Sequence, residues 1–228
     1  MLALLYDVHG NLPALESVLA DAAQAGATRF VLGGDYALFG PWPAETVERL
    51  RKLDATWIRG NGERWTATPW EAPDDEVVQG AISANRAELS DAVVEELAAL
   101  PEEHVEEGVR YCHGSPQSDV RSFFPEPADD EAELLSGVHE ERLVFGHTHL
   151  QFRRRSRVGG IELVNPGSVG MPFDGDPRAG YALVGADGEV ELRRVGYDSA
   201  GSAAAVRERF PDFGEVVARR IEQAAFAV

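Results

Sequence analysis

Hydrophobic positions near the N-terminus switch between unbroken runs and helical spacing. Leu2–Tyr6 is an apolar run of strand length. The stretch "NLPALESVLADAAQAG" that follows predicts a helix, with Leu15, Val18, Leu19 and Ala22 on one apolar face. Pro13 suits the first turn of that helix and Gly26 its end. Arg29–Leu32 predicts a second buried strand, Ala44–Lys52 a helix with Val47 and Leu50 inward, and Ala55–Ile58 a third strand. This β-α-β-α-β order predicts a parallel sheet with covering helices.

The third strand stops at Arg-Gly-Asn-Gly, and Asn61-Gly62 is a strong hairpin-turn signal because both residues tolerate positive φ. Residues 65–73, rich in Trp, Pro and Thr, read as a loop. Asp75–Leu100 reads as a helical region of one or two helices. Arg110–His113 predicts a strand, Asp129–Ser136 a short helix, and Leu143–Phe145 a buried strand that runs into "GHTH". Phe152–Val158 and Ile161–Val164 flank Gly159-Gly160 as a hairpin, and Tyr181–Gly185 with Glu189–Val195 form another. Ser202–Phe210 and Phe213–Phe226 predict terminal helices. The second half thus reads as antiparallel strands after a parallel first half. No repeat or linker divides the chain, so one domain is expected over 1–228: a core to 197 with a helical insert near 74–100, then C-terminal helices over 198–228.

Composition narrows the partners. The net charge of −18 repels nucleic-acid backbones, so duplex binding is not expected, although a local positive site remains open. No apolar run approaches membrane-spanning length, and "MLALLYDVHG" lacks the basic start and cleavage site of a signal peptide. Cys112 is the only cysteine, so no intrachain disulfide can form. A cytoplasmic location is the expectation, with no membrane partner.

The candidate chemistry follows the strands. Asp7 and His9 come after the first strand, Asp35 after the second, Asn61 after the third, His113 after Arg110–Cys112, and His147 with His149 after Leu143–Phe145. Ligands of open α/β sheets bind beyond the carboxyl ends of strands, so five strand ends point at one location. Residues two apart in extended chain face the same way, so Asp7 with His9, and His147 with His149, can each share a target. Imidazole and carboxylate without thiolate suit Mn, Fe, Zn, Co or Ni and argue against a closed structural zinc site. Seven side chains exceed the needs of one ion, and two ions sharing Asp35 is the economical arrangement. His104 and His139 sit in Glu-rich surroundings and read as surface residues.

In this order, "DVHGN", "GGDYALFGPWP", "RGNGE", "CHGSP", "GHTH" and "NPGSVG" resemble the motifs of the calcineurin-like metallophosphoesterases, most closely the small bacterial and archaeal phosphodiesterase branch. The resemblance implies an α/β fold, a four-layer α/β/β/α sandwich with two mixed sheets and flanking helices. It implies two divalent transition-metal ions, with Mn²⁺ first and Fe, Zn, Co or Ni as alternatives. Asp7, His9, Asp35 and His149 resemble the ligands of one ion; Asp35 as bridge, Asn61, His113 and His147 resemble those of the other. A hydroxide bridging the ions would attack phosphorus in line, with Asp35, Asn61, His113 and Asn11 in the catalytic set. Asn11 is a candidate for a phosphate oxygen and equally for the N-cap of the first helix. Arg178 is a candidate phosphate contact or a structural ion pair.

One departure matters. Many members have a histidine directly after the motif asparagine, placed to protonate the leaving group or bind phosphate; here the position is Gly62. Such general-acid help typically contributes about 10²–10⁴-fold. The gap favours leaving groups that need no proton, as in phosphoanhydrides, aryl phosphodiesters and nucleotide polyphosphates. Glu63, Tyr36 and Arg64 are candidates to replace the acid. Arg153, Arg155 and Arg157 share a strand face, either solvated or open to a polyphosphate tail. Trp42, Trp65 and Trp70 flank the metal loops and could stack on a ring, and Phe173 stands where relatives often carry a basic residue.

The function implied is a two-metal phosphodiesterase acting on a small phosphodiester or nucleotide. A hydrolase of dinucleoside polyphosphates such as diadenosine tetraphosphate is the alternative, and a non-catalytic metal-binding interaction module the second. A phosphoprotein phosphatase is disfavoured, since the loop after Asp35 lacks Asp-Arg-Gly. A homo-oligomer is left open.

Overall fold

The computed structural model describes residues 1–227. The N-terminal part runs β1 (Leu2–Leu5), α1 (Leu12–Gln24), β2 (Arg29–Leu32), α2 (Pro43–Leu50), β3 (Ala55–Trp57) and α3 (Asn61–Ala67). A 3₁₀ turn at Pro69–Glu71, α4 (Glu76–Glu88) and α5 (Asp91–Ala98) follow. Then come β4 (Glu103–Glu106), β5 (Val109–Cys112), α6 (Glu131–Leu134), β6 (Arg142–Val144), β7 (Phe152–Arg155) and β8 (Glu162–Asn165). The chain closes with β9 (Ala179–Val184), β10 (Val190–Val195), α7 (Ser199–Arg209) and α8 (Gly214–Gln223).

Two five-stranded sheets form, in the orders β10-β9-β1-β2-β3 and β4-β5-β6-β8-β7. Strand alternation explains why they pack face to face. Leu4, Tyr6, Val31 and Ile58 of the first sheet meet Tyr111, Val144 and Val164 of the second. The opposite side chains of β1 and β2, Ala3, Leu5 and Leu32, pack on Leu15, Val18 and Val47 of the helices. Beyond the second sheet, Leu143, Phe145 and Leu163 pack on Leu134 and Phe123. The result is four layers, α/β/β/α, as expected. Because β1 and β2 are covered on both faces, they read as continuous apolar runs.

Three expectations change. The second half is not simply antiparallel: β5, β6 and β8 are parallel, while the pairs β4–β5 and β7–β8 and the expected hairpin β9–β10 are antiparallel. Both sheets therefore have parallel centres, and both send carboxyl ends to one edge. Strand β4 was hidden because Glu103-His-Val-Glu is a charged edge strand with little apolar signal. Asn61-Gly62 is not a hairpin turn. Asn61 opens α3, Gly60 caps it in extended conformation, and Glu63 returns its carboxylate to Gly60 N at 2.8 Å. That bond to the N-cap N–H favours the helix over the turn preference of Asn-Gly, and Gly62 is not among the residues with positive φ. The helix also replaces the front of the loop expected over 65–73.

Candidate metal centre

The strand ends deliver their side chains through strained backbone rather than through extended chain. Asp7 (φ 53°), His9 (50°), Asp35 (56°), His147 (66°) and His149 (58°) are all left-handed. Such a conformation costs an L-residue about 1–3 kcal/mol and persists where its surroundings enforce it. Here Asp7 N donates to Gly34 O at 3.1 Å and His9 N to Asp35 O at 2.9 Å, so neighbouring strand ends fix one another. The turn between His147 and His149 also separates them. His149 joins Asp7 and His9, while His147 faces Asn61 and His113. His147 and His149 therefore do not share one target, contrary to the expectation from their two-residue spacing.

Three imidazoles are locked in one tautomer. Nδ1 of His9 faces Leu38 O (2.9 Å), that of His113 faces Gly33 O (2.8 Å) and that of His149 faces Met171 O (2.5 Å). A carbonyl only accepts, so each Nδ1 carries a proton and each Nε2 is the atom turned toward the centre. His9 Nε2 and His149 Nε2 then lie 3.0 Å apart. Asp7 Oδ1 faces them from 4.0 and 3.5 Å, buried and without any hydrogen-bond donor. On the other side, one atom of the Asn61 amide lies 2.9 Å from both His113 Nε2 and His147 Nδ1. As the carbonyl oxygen, it adds a third lone pair to two imidazole nitrogens. Asp35 sits between the sets, with Oδ1 3.5 Å from His113 Nε2 and Oδ2 3.9 Å from His9 Nε2. Acceptors that face acceptors this closely repel unless cations lie among them.

The charges agree. Asp7 and Asp35 are buried, and among the described residues no arginine or lysine pairs with either. Burial pushes the Asp35 carboxyl up to about 7 against the pull of His113. Burial pulls His9 down to about 3 and His147 to about 4, so both rings are neutral at physiological pH. Burial also works against the Asp7 charge, but the imidazoles of His149, His113 and His9 outweigh it and hold the group below the usual carboxylate range. Ligating atoms of Asp7, His9 and His149, and of Asp7, Asp35 and His113, lie within 4.8 Å of one another. Hard oxygen and borderline nitrogen donors without thiolate fit divalent transition-metal ions.

Several supporting roles were not read from the sequence, where Glu63 is a candidate acid and Gly62 only the place of a missing histidine. Glu63 is buried and accepts from Asp35 N (2.9 Å) and Tyr36 N (2.8 Å) as well as from Gly60 N. Gly62 N donates to Asp35 Oδ1 at 2.7 Å, and a Cβ on Gly62 would stand 2.9 Å from that oxygen. The motif "NPGSVG" is the floor under Asp7 and His149. Ser168 Oγ donates to Asp7 O (2.7 Å) and accepts from Met171 N (2.8 Å), whose carbonyl holds His149. The only signals were the Glu three residues after Gly60 and the motif itself, to which no role was attached.

Other candidates lie elsewhere. Asn11 Oδ1 caps α1 by accepting from Ala14 N and also accepts from Ser202 Oγ of α7, and its amide nitrogen donates to Gly170 O and Tyr197 Oη. Buried and fully engaged, it has no donor left for a phosphate oxygen. Arg178 is exposed, paired with Asp176 at 2.6 Å, and does not line the cleft. The three candidate replacement acids are also engaged. Glu63 clamps the loop, Tyr36 Oη donates to Leu32 O and Ile58 O, and Arg64 forks onto Asp119. Arg153 pairs with Glu162, and Arg155 donates to Gly160 O, away from the centre. Trp65 lines the cleft, whereas Trp70 is exposed on the surface. His139 is exposed, and His104 is half-buried beside Tyr111 on the edge strand β4.

The centre opens into a cleft of about 780 Å³. Its floor holds His9, Asp35, Asn61, His147 and His149. One wall comes from α4 and α8, whose Val77, Ala84, Val217 and Ile221 belong to one apolar cluster with α7. Among the described residues no helix is long and apolar enough to cross a membrane.

Comparison with known proteins points the same way. Residues 1–189 match the family model described as the calcineurin-like phosphoesterase superfamily domain. Phosphodiesterase YfcE of Escherichia coli is 31% identical over 79% of this chain and 85% of its own. Uncharacterized protein MJ0912 of Methanocaldococcus jannaschii is 28% identical over 93% of this chain and 95% of its own. The crystal structure of a metallophosphoesterase from Sphaerobacter thermophilus superposes with a TM-score of 0.84 at 28% identity, covering 98% of each chain. With the strand-end residues already gathered in one cleft, the matched span establishes that the chain belongs to the calcineurin-like phosphoesterase superfamily.

Proposed function

We propose that the protein is a two-metal phosphodiesterase for small phosphodiesters or nucleotides, with Mn²⁺ as the first choice of metal. One observation carries this reading: two sets of mutually opposed lone pairs, His9–His149 and Asn61–His113–His147, with Asp7 and Asp35 buried between them without a permanent cation. Asp7, His9, Asp35 and His149 would hold one ion, and Asp35, Asn61, His113 and His147 the other. Bound there, two divalent ions supply charge neutralisation at phosphoryl oxygens and activation of a water nucleophile at neutral pH.

The remaining work belongs to the chain. The carbonyls of Leu38, Gly33 and Met171 keep the imidazole lone pairs aimed inward, and Gly62 N–H with Glu63 fixes Asp35 and its loop. None of the three candidates replaces the histidine absent at Gly62, because Glu63, Tyr36 and Arg64 are each engaged elsewhere. Substrates whose leaving group departs without a proton therefore suit the site. The same observation favours one second reading, hydrolysis of dinucleoside polyphosphates, where the leaving group is itself a phosphate. A cytoplasmic setting accompanies both readings, with Cys112 buried and free.

Metal analysis and hydrolysis of bis-p-nitrophenyl phosphate with Mn²⁺ test this function. Bound metal with metal-dependent turnover is expected. No metal and no turnover across Mn²⁺, Ni²⁺ and Co²⁺ would favour a non-catalytic module instead. The leaving-group argument is checked on the wild type with esters of rising leaving-group pKa, where a steep fall in rate is expected. A Gly62→His variant would not isolate the missing acid, because its Cβ would press on Asp35.

A further inference from the structure

The cleft wall carries an arginine without a carboxylate partner among the described residues. Arg220, on α8, lines the same cleft as His9, Asp35 and Asn61. Its guanidinium donates from Nε to Phe226 O at 3.1 Å and makes no carboxylate contact. Among the described residues, every other arginine partly shielded from solvent has a carboxylate within 4.0 Å. In a chain with a net charge of −18, acids are abundant, so this exception calls for a ligand. Asp75, the carboxylate whose field reaches Arg220, uses Oδ1 to cap α4 through Val77 N and Val78 N, both at 3.0 Å. Burial lowers the pKa of Arg220 from its usual value, and Asp75 offsets only part of that.

The guanidinium stands at the end of a row of rings. Its Cζ lies 4.4 Å from the Phe226 centroid. Phe226 meets Phe173 edge-on at 5.5 Å, and Phe173 stacks on His149 at 4.3 Å. Apolar surface therefore runs unbroken from the metal centre to the arginine. A substrate held by one phosphate at the centre can lay an aromatic group along these rings and present a further charge to Arg220.

We propose that Arg220 is a specificity-determining residue that binds a second phosphate of the substrate, at the far end of the Phe173–Phe226 wall. The substrate class is then a nucleoside bearing two phosphates, one of them esterified to the leaving group. This rests on the hydrolase reading above.

The test uses a matched pair, the thymidine 5′-(p-nitrophenyl phosphate) ester with and without a 3′-phosphate. Reacting bond and leaving group are the same in both. With Mn²⁺, the wild type is expected to favour the 3′-phosphorylated ester by about 10- to 100-fold in kcat/KM, the span of a charge-assisted hydrogen bond. Arg220→Gln is expected to bring that ratio to about one. A general packing defect would lower both rates and keep the ratio. A ratio near one in the wild type, or an unchanged ratio in Arg220→Gln, would overturn the proposal. Calorimetry on metal-loaded protein with thymidine 3′,5′-bisphosphate and thymidine 5′-monophosphate should give a similar ratio of dissociation constants and the same loss. If no ester is hydrolysed but this binding ratio holds and disappears in Arg220→Gln, the hydrolase reading falls and the role of Arg220 stands. If bis-p-nitrophenyl phosphate is hydrolysed and neither ratio appears, the role of Arg220 falls and the hydrolase reading stands.

Discussion

On the floor of the cleft, backbone groups fix the side chains; on the wall, side chains lean on one another. The imidazoles of His9, His113 and His149 each rest on a carbonyl, and Asp35 rests on the Gly62 N–H. The floor stands on the carboxyl ends of parallel strands from both sheets. The wall is made of helix side chains and the segment after α8, where Phe226 is 62% exposed. Val120 and Phe124, which also line the cleft, are exposed by 41% and 48%. Rigid strand ends can hold opposed lone pairs and left-handed residues because many hydrogen bonds enforce them. The wall makes no such demand, so its residues can change what the cleft accepts without disturbing its chemistry.

Removing metal should separate the two regions most sharply. Chelation is expected to abolish hydrolysis, and restoring Mn²⁺ to about a hundred times its dissociation constant should add about 2.7 kcal/mol of stability for each ion bound. For a chain of this size that corresponds to roughly 5–10 °C in Tm by calorimetry. An unchanged Tm would mean that the floor is stable without cations. Asp35→Asn follows, with a fall in kcat of about 10³-fold, because it removes a charge between both ligand sets. Full retained activity would undo the shared role of Asp35.

Gly62→Ala is a smaller perturbation of the same floor. Its Cβ would meet Asp35 Oδ1 at 2.9 Å, so a cost of about 1–3 kcal/mol in stability is expected. A drop in metal affinity of about 10- to 100-fold should accompany it, read by calorimetric Mn²⁺ titration. Wild-type affinity would show that the loop can yield without moving Asp35. Phe226→Ala tests the wall and should have the smallest effect, raising KM for aryl diesters by about 2- to 10-fold. Its metal content should equal that of the wild type, and lost metal would show that wall and floor are not independent.

The same contrast governs what could be read in the sequence. Strands β1 and β2 stand out because burial on both faces leaves continuous apolar runs, β3 is a half-buried edge strand, and the polar residues just after all three mark the centre. The opening of α3 was masked, since Asn61-Gly62 has the local preference of a turn, and only the bond from Gly60 N to Glu63 decides for a helix. The parallel arrangement of β5, β6 and β8 depends on contacts distant in sequence, which strand periodicity does not encode. Asn11 and Arg178 looked available for phosphate because their partners, Ser202 with Tyr197 and Asp176, are revealed only by the fold. Arg220 was not legible at all. An arginine in an amphipathic helix is ordinary, and what sets it apart is the lack of a carboxylate in three dimensions.

The central claim is that two opposed ligand sets hold two cations. Elemental analysis of the full chain after Mn²⁺ loading and gel filtration tests it most directly. Two manganese ions per chain are expected in the wild type and fewer in Asp35→Asn. One ion or none in a wild-type preparation that still hydrolyses bis-p-nitrophenyl phosphate would contradict it.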